Sequence, residues 1–461
     1  MANFLIASPN SLTQGTDSND LFVLNTALGA TVYGNDGADQ ISASVAVNGV
    51  NAIFNGGQGN DSIYLTAGAA AQTLTVAKVV GGGDNDLIVI DGAVANNSTV
   101  HGGGGADSIL LSGGAFTQST INAMGGIDLV SASGTNFVSS LLSLGGGNDT
   151  LNLISASAVG TTIAAGGGND LISAIIATGG ATRFEGDTIG DSEYYGNDTI
   201  RIGGTLLGES ALVQGGGGAD IVSVSAVIGT GSTINGNAGG DSILLASAGA
   251  ASSLILIGGG AGADTITVSA VFVAENGTIF GGGGNDLISV SAQANVTGMT
   301  IYGGEGSDTI GLGTTVDGQA IAANVRYTSF SDSNLSAFDY ISSTVAVSGG
   351  FTLSQTVVTA TTAGSLSNGA FTTNTGGVVT WVSAAGGGVT ARAQQIDQFL
   401  GQGQVAVFAD GNGEDYIFIQ AGAAGSGTGA DLIAQLNTSV IAGASTGFNI
   451  VAGSAISLNL A

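Results

Sequence analysis

The sequence predicts an all-β protein: a right-handed parallel β-solenoid of about 14 coils of 21–22 residues, followed by a β-rich C-terminal domain. Three observations carry this prediction. First, aspartates that each end a glycine-rich turn recur at Asp20, Asp39, Asp61, Asp86, Asp107, Asp128, Asp149, Asp170, Asp198, Asp220, Asp241, Asp264, Asp286 and Asp308. Their gaps run 19, 22, 25, 21, 21, 21, 21, 28, 22, 21, 23, 22 and 22 residues, a near-constant period that means one unit stacked on itself. Second, the second and fourth residues after each aspartate are apolar, as in Ile288 and Val290 with Ser289 between them. That period-two alternation makes each turn feed a strand with alternate side chains buried. Third, a further short strand follows about nine residues later in each period, for example at Thr99-Val100, Thr233-Ile234, Thr278-Ile279 and Thr300-Ile301, and no helical pattern intervenes.

Composition agrees. There are 83 glycines but one proline, and 43% of residues are hydrophobic, so glycine punctuates apolar runs as tight turns rather than marking disorder. Residues 1–14 are expected to form a cap or assembly strand, residues 15–315 the solenoid, and residues 316–461 the C-terminal domain. At one strand spacing per coil, 14 coils would make a rod roughly 65 Å long.

The net charge is −28, from 33 acidic residues against Lys78, Arg183, Arg201, Arg326 and Arg392. Nucleic acid and anionic lipid both need clustered lysine and arginine, so neither is expected as a partner. No 18-residue apolar run is present to span a membrane, no signal-peptide pattern opens the chain, and the absence of cysteine excludes disulfides and thiolate metal sites.

The two turns of each period differ. One is the glycine-rich aspartate turn; the other, such as Ala292–Gly298 or Ile228–Gly231, is neutral and variable. Acidity therefore lines one edge. Aspartates stacked about 5 Å apart repel by about 1 kcal/mol per pair even at the dielectric of water. A cation between them would remove that repulsion, and carboxylate plus carbonyl oxygens in a flexible turn favour Ca²⁺ over Mg²⁺ or softer metals. The competing reading is that glycine serves the turn and aspartate caps it by hydrogen bonds without metal.

These turns resemble the repeats-in-toxin (RTX) calcium-binding β-roll family, whose nonapeptide is Gly-Gly-x-Gly-x-Asp-x-apolar-x. Six turns match fully, ending at Asp61, Asp107, Asp220, Asp264, Asp286 and Asp308; the fourth position is glycine in twelve of fourteen, with Ser18 and Asp84 as exceptions. The resemblance covers about two thirds of the chain. It implies Ca²⁺ as cofactor, with metal-site residues Asp39, Asp61, Asp86, Asp107, Asp149, Asp170, Asp198, Asp220, Asp264, Asp286 and Asp308 and the turn glycines Gly57, Gly59, Gly103, Gly105, Gly216, Gly218, Gly260, Gly262, Gly282, Gly284, Gly304 and Gly306. The family usually has two nonapeptides per coil. One motif per period here leads us to expect calcium on one edge only, with the turns ending at Asp20, Asp128, Asp198 and Asp241 deviating most.

The insertion Arg183–Tyr195 carries four acids and reads as a solvated acidic loop in preference to an extra ion site. The outward serine and threonine rows read as soluble β-formers, in preference to an ice- or glycan-binding face. Beyond Thr314, Thr390–Gly401 suggests a short helix and Val405–Ile419 a hairpin. The run Asp431–Leu436 resembles C-terminal segments of secreted RTX-type and surface-layer proteins, which implies type I secretion and an extracellular or cell-surface location.

No catalytic residues are expected. Gly443–Gly447 matches Gly-x-Ser-x-Gly, but the one histidine, His101, lies far upstream of it, so the match reads as chance. The expected function is thus a secreted, calcium-binding structural subunit of a surface layer or matrix fibre, with itself as partner and cell-surface polysaccharide as a further one. The alternatives are a calcium-dependent adhesin and a polysaccharide-acting enzyme.

Overall fold

A computed structural model describes residues 2–25, 29–43, 49–66, 72–75, 77–187, 195–204, 208–246, 249–269, 272–290, 297–313, 322–327, 332–333, 337, 339–343, 350–353, 361–362, 371–373, 379–381, 388–402, 404–410, 414–421, 423–425, 431–436, 448–451 and 456–460. The neutral turn at 292–296, most of the insertion at 188–194, the hairpin tip at 411–413 and the Gly443–Gly447 match lie outside them. The protein is a parallel β-solenoid, and it divides into two compact units, Met1–Ile234 and Asn235–Ala461.

In the first unit, strands that follow the aspartates stack in parallel and in register: Ile63, Ile88, Ile109, Val130, Leu151, Ile172 and Ile200 align coil on coil. Each is at most 1% exposed, as are the facing Phe54, Val79, Ile121, Leu142, Ile163 and Phe184 of the second sheet. Fully burying one such side chain contributes about 1.5–3 kcal/mol, so the alternation legible in the sequence is the principal source of cohesion. The second unit repeats the arrangement, with Ile243, Ile266, Ile288, Ile310 and Ile341 on one side and Ile257, Ile279 and Ile301 on the other.

Three features depart from the sequence reading. The second strand of each coil does not stop before the glycines: Thr99–Gly104 and Thr278–Gly283 carry the ladder through the first three turn positions. The neutral edge of the first unit has strands of its own, Gln72–Thr75, Ala93–Asn96, Ala115–Thr117 and Asn136–Val138, paired in parallel, so these coils have three sides rather than two. The solenoid also runs one coil beyond Leu312, because Asp339–Ser343 pairs with Thr309–Leu312 and then with Leu432–Leu436. This ties the C-terminal segment to the last coils of the second unit. At the N-terminal end of the first unit, Asn3–Ile6 pairs with Leu21–Leu24, and Phe4 stacks on Phe22 at 4.8 Å.

The helix forms at Val389–Asp397 and the hairpin as Gln404–Ala409 against Asp415–Ile419. Ala393, Ile396, Phe408, Phe418 and Ile433 pack together there as a separate small core. No helix among the described residues is long and apolar enough to cross a membrane.

Candidate metal edge

Each acidic turn arises where a strand must reverse within a few residues. The second-position glycines Gly57, Gly103, Gly216, Gly260, Gly282 and Gly304 have φ between +110° and +129°, and the fourth-position Gly59, Gly105, Gly218, Gly262, Gly284 and Gly306 between +104° and +131°. A side chain is strained at such angles. At Gly282 a Cβ would also stand 1.8 Å from the Gly260 carbonyl oxygen. These glycines shape the turn and let adjacent coils approach.

The aspartates are not on the surface. Asp39, Asp61, Asp86, Asp107, Asp128, Asp149, Asp170, Asp198, Asp220, Asp264, Asp286 and Asp308 are between 1% and 4% exposed. Within each unit they form a chain of staples, because the backbone N–H of each donates to Oδ1 of the aspartate one coil later at 2.7–2.9 Å. The hydrogen-bonding role weighed against metal binding is thus real, but it uses one oxygen. Oδ2 is buried and has no protein partner in Asp39, Asp61, Asp86, Asp107, Asp128, Asp149, Asp170, Asp198, Asp264, Asp286 and Asp308. Asp20 differs: its Oδ2 accepts the N–H and hydroxyl of Thr16 at 2.7 and 2.8 Å, and main-chain hydrogen bonds from Ala2 and Thr16 hold its carboxyl below the usual range.

The open oxygens face a consistent place. A Cβ added at the first-position glycine would stand 2.3 Å from Asp286 Oδ2 and 2.3 Å from the Gly303 carbonyl oxygen at Gly281, and 2.2 and 2.5 Å from Asp61 Oδ2 and the Gly81 oxygen at Gly56. Gly34, Gly81, Gly102, Gly186, Gly236 and Gly259 repeat this pairing. These glycines were not among the expected site residues, although all but Gly186, which the insertion separates from Asp198, stand five residues before their aspartate, a place that was legible. At Ala123, Leu144 and Ala165 the chain itself carries a side chain at that position, and the expected ligands Asp149 and Asp170 lie beside two of them.

Burial dominates the electrostatics. It pushes Asp86 and Asp198 up to about 8, Asp61, Asp170, Asp264 and Asp308 to about 7, and Asp107, Asp149 and Asp220 to about 6, against staple hydrogen bonds that lower them. Neighbouring aspartates in the column add to the rise at Asp61, Asp86, Asp264 and Asp308. Unneutralised, this column is therefore costly to ionise near neutral pH.

Two further columns were missed by sequence reasoning. Asn60, Asn85, Asn148, Asn169, Asn197 and Asn285 accept, through Oδ1, a backbone N–H of the following coil at 2.6–3.0 Å, opposite in sense to the aspartates. On the neutral edge, buried Ser98, Ser119 and Ser140 accept the N–H of Ala77, Ser98 and Ser119 at 3.1–3.2 Å, and Ser232 that of Ala211. A neutral hydroxyl thus performs the same staple as aspartate. The 21-residue spacing of Ser98, Ser119 and Ser140, and the place of each asparagine directly before its aspartate, were the signals that could have revealed them.

No three Asp, Glu, His or Cys side chains converge among the described residues. A cation here would take one carboxylate oxygen per coil with carbonyl and water oxygens. That hard donor set suits Ca²⁺, with six to eight oxygens in flexible geometry. His101, half-buried, is held below its usual pKa by burial and by the charge of Lys78.

Comparisons with known proteins add a likeness. No known protein family and no curated protein matches the chain. Among solved structures, the chain is similar to the X-ray crystal structure of a hyperactive, Ca²⁺-dependent, beta-helical antifreeze protein from an Antarctic bacterium, at 21% identity over 75% of this chain and 84% of that one, with a TM-score of 0.41. At that score the likeness carries no argument, and the chemistry of this edge is read from this chain's own atoms.

Proposed function

We propose that this chain is a calcium-loaded β-solenoid with a structural, non-catalytic role: a secreted subunit of a surface layer or matrix fibre. One observation carries the calcium reading. On the neutral edge serine completes the coil-to-coil staple, yet on the glycine edge the staple is made by aspartate, whose second oxygen is buried with no protein partner. Burying such an oxygen costs free energy unless something pairs it. In this reading Ca²⁺ lies along the column, supplies the missing counter-charge and couples each coil to the next, as in a one-dimensional array. Asp264, Asp286 and Asp308 hold it in the second unit, and Asp39, Asp61, Asp86, Asp107 and Asp198 in the first.

Self-assembly has a separate support. Asn3–Ile6 pairs on one side with Leu21–Leu24, and among the described residues nothing pairs its other edge, while Leu5 is 68% exposed. An open strand edge of this kind templates addition of another chain, and a head-to-tail contact that does not close propagates. Electron microscopy of purified protein with millimolar calcium and with chelator tests the reading. Fibres or sheets in calcium alone are expected; dispersed particles in both, with calcium bound, would leave a calcium-binding solenoid without the assembly role.

A further inference from the structure

We infer that the inserted turn of the first unit holds a cation site of a second kind, in which Asp187 joins Asp198 as a second carboxylate. It shares Asp198 with the proposed calcium column and in that respect rests on it; Asp187 is its own. The insertion lengthens one period to 28 residues, between Asp170 and Asp198. Arg183–Asp187 nonetheless stays in the ladder, and Asp187 falls in register with Gly166. Where neighbouring coils have Gly166 and Gly216, with φ of +115° and +124°, this coil carries an acid.

That acid does not belong to a solvated loop, the reading favoured from sequence. Asp187 is 1% exposed, and Glu185, two residues before it, is 9% exposed. Oδ2 of Asp187 accepts the N–H of Gly217 at 2.7 Å and the Gly196 N–H also stands against the carboxyl, whereas Oδ1 is buried and makes no hydrogen bond of normal geometry. Next to it, a Cβ at Gly186 would stand 2.1 Å from the Gly215 carbonyl oxygen and 2.4 Å from Asp198 Oδ2, also buried and unpartnered. Two carboxylates and a carbonyl thus border the same step, from Gly186-Asp187 to Gly215–Gly217. Arg183, the nearest basic residue in sequence, is paired with Glu185. The Asp187 charge in turn raises the pKa of Asp170, Asp198 and Asp220.

Two buried carboxylates facing one step need a counter-charge, and hard oxygens call for a divalent cation of the Ca²⁺ class. Calcium affinity rises with the number of charged ligands. This step, with two, should therefore bind its ion more tightly than steps that offer one. The ring of Tyr195 lies against Gly217 of the same turn and would sensitise the luminescence of a lanthanide bound there.

The test uses the full chain, stripped of metal, titrated with Tb³⁺ for tyrosine-sensitised luminescence and with Ca²⁺ by equilibrium dialysis. Asp187→Asn keeps an acceptor for Gly217, and Asp187→Gly restores the residue type of the neighbouring coils, so at least one variant retains the fold, checked by circular dichroism. Each should weaken the tightest equivalent by about tenfold or more and remove its Tyr195-dependent emission, leaving the weaker equivalents in place. Asp264→Asn serves as the comparison. If both Asp187 variants keep the tight equivalent while Asp264→Asn loses an ion, this inference is overturned and the column stands. If the Asp187 variants lose it and Asp264→Asn loses nothing, the inserted site stands and the column reading fails. Loss in neither overturns both.

Discussion

The backbone N–H of Asp264 donates to Oδ1 of Asp286 at 2.8 Å, and Oδ2 of the same Asp286 carboxylate is buried with no protein partner. One side chain thus serves as a neutral staple would and also presents an uncompensated anion. The two roles are separable by substitution.

Asp286→Asn should keep the staple through its carbonyl oxygen and lose the charge. In chelator at pH 8 it should equal or exceed the wild type in urea stability, and in calcium it should bind at least one ion fewer. Asp286→Ala removes the acceptor for Asp264 as well and should cost about 1–3 kcal/mol in chelator. If asparagine and alanine are equally damaging without calcium, the division of labour between Oδ1 and Oδ2 is wrong.

The neutral edge supplies the contrast. Ser119 accepts the N–H of Ser98 at 3.2 Å and donates to the Thr117 carbonyl at 3.0 Å. Ser119→Ala should lower stability by about 1–3 kcal/mol, since it strands a buried donor, and leave calcium stoichiometry unchanged. A fall in bound calcium would refute a one-edge site.

Glycine positions should differ sharply within one turn. At Gly281 a Cβ would stand 2.3 Å from Asp286 Oδ2 and from the Gly303 oxygen, whereas at Gly283 nothing lies within 4 Å. Gly281→Ala should therefore weaken calcium binding and lower the melting temperature, while Gly283→Ala should fall within about 0.5 kcal/mol of wild type. Equal responses would show that the place beside Gly281 is not where the ion acts.

The pH dependence without metal has a definite sign. Burial puts Asp86 and Asp198 at about 8 and Asp61, Asp170, Asp264 and Asp308 at about 7, while an unfolded aspartate titrates at about 3.9. The folded chain thus holds more protons than the unfolded one, and stability falls as pH rises from about 4 to about 8. In chelator the urea midpoint should be higher at pH 5 than at pH 8. Saturating calcium should reverse the ordering, because the ion displaces those protons and binds better as they leave. A chelator midpoint that rises with pH would contradict the burial of the column.

Much of this was legible in the sequence, because the solenoid writes its period directly. Ile288 and Val290 mark a buried face by alternation, and Asp286 marks the turn by recurrence. What stayed hidden depends on which atom meets which. No spacing says that Oδ1 and Oδ2 of one aspartate have different fates, or that Gly281 faces the carboxylate while Gly283 faces open space. The coil at Asp339 escaped notice because its turn lacks the glycines: Asp339 receives the Asp308 N–H at 2.9 Å and donates its own N–H to Ser333 Oγ at 2.8 Å. Asp187 was read as solvated because an acid-rich insertion usually is, and only its register with Gly166 brings it indoors.

The most direct test of the central claim is calcium titration of metal-free protein at pH 8, with circular dichroism and the melting temperature read at each addition. The account predicts a weakened or lost β signal in chelator, restored by Ca²⁺ with a rise in melting temperature that saturates with several ions bound per chain. A spectrum and melting temperature unchanged between excess chelator and millimolar calcium would contradict it.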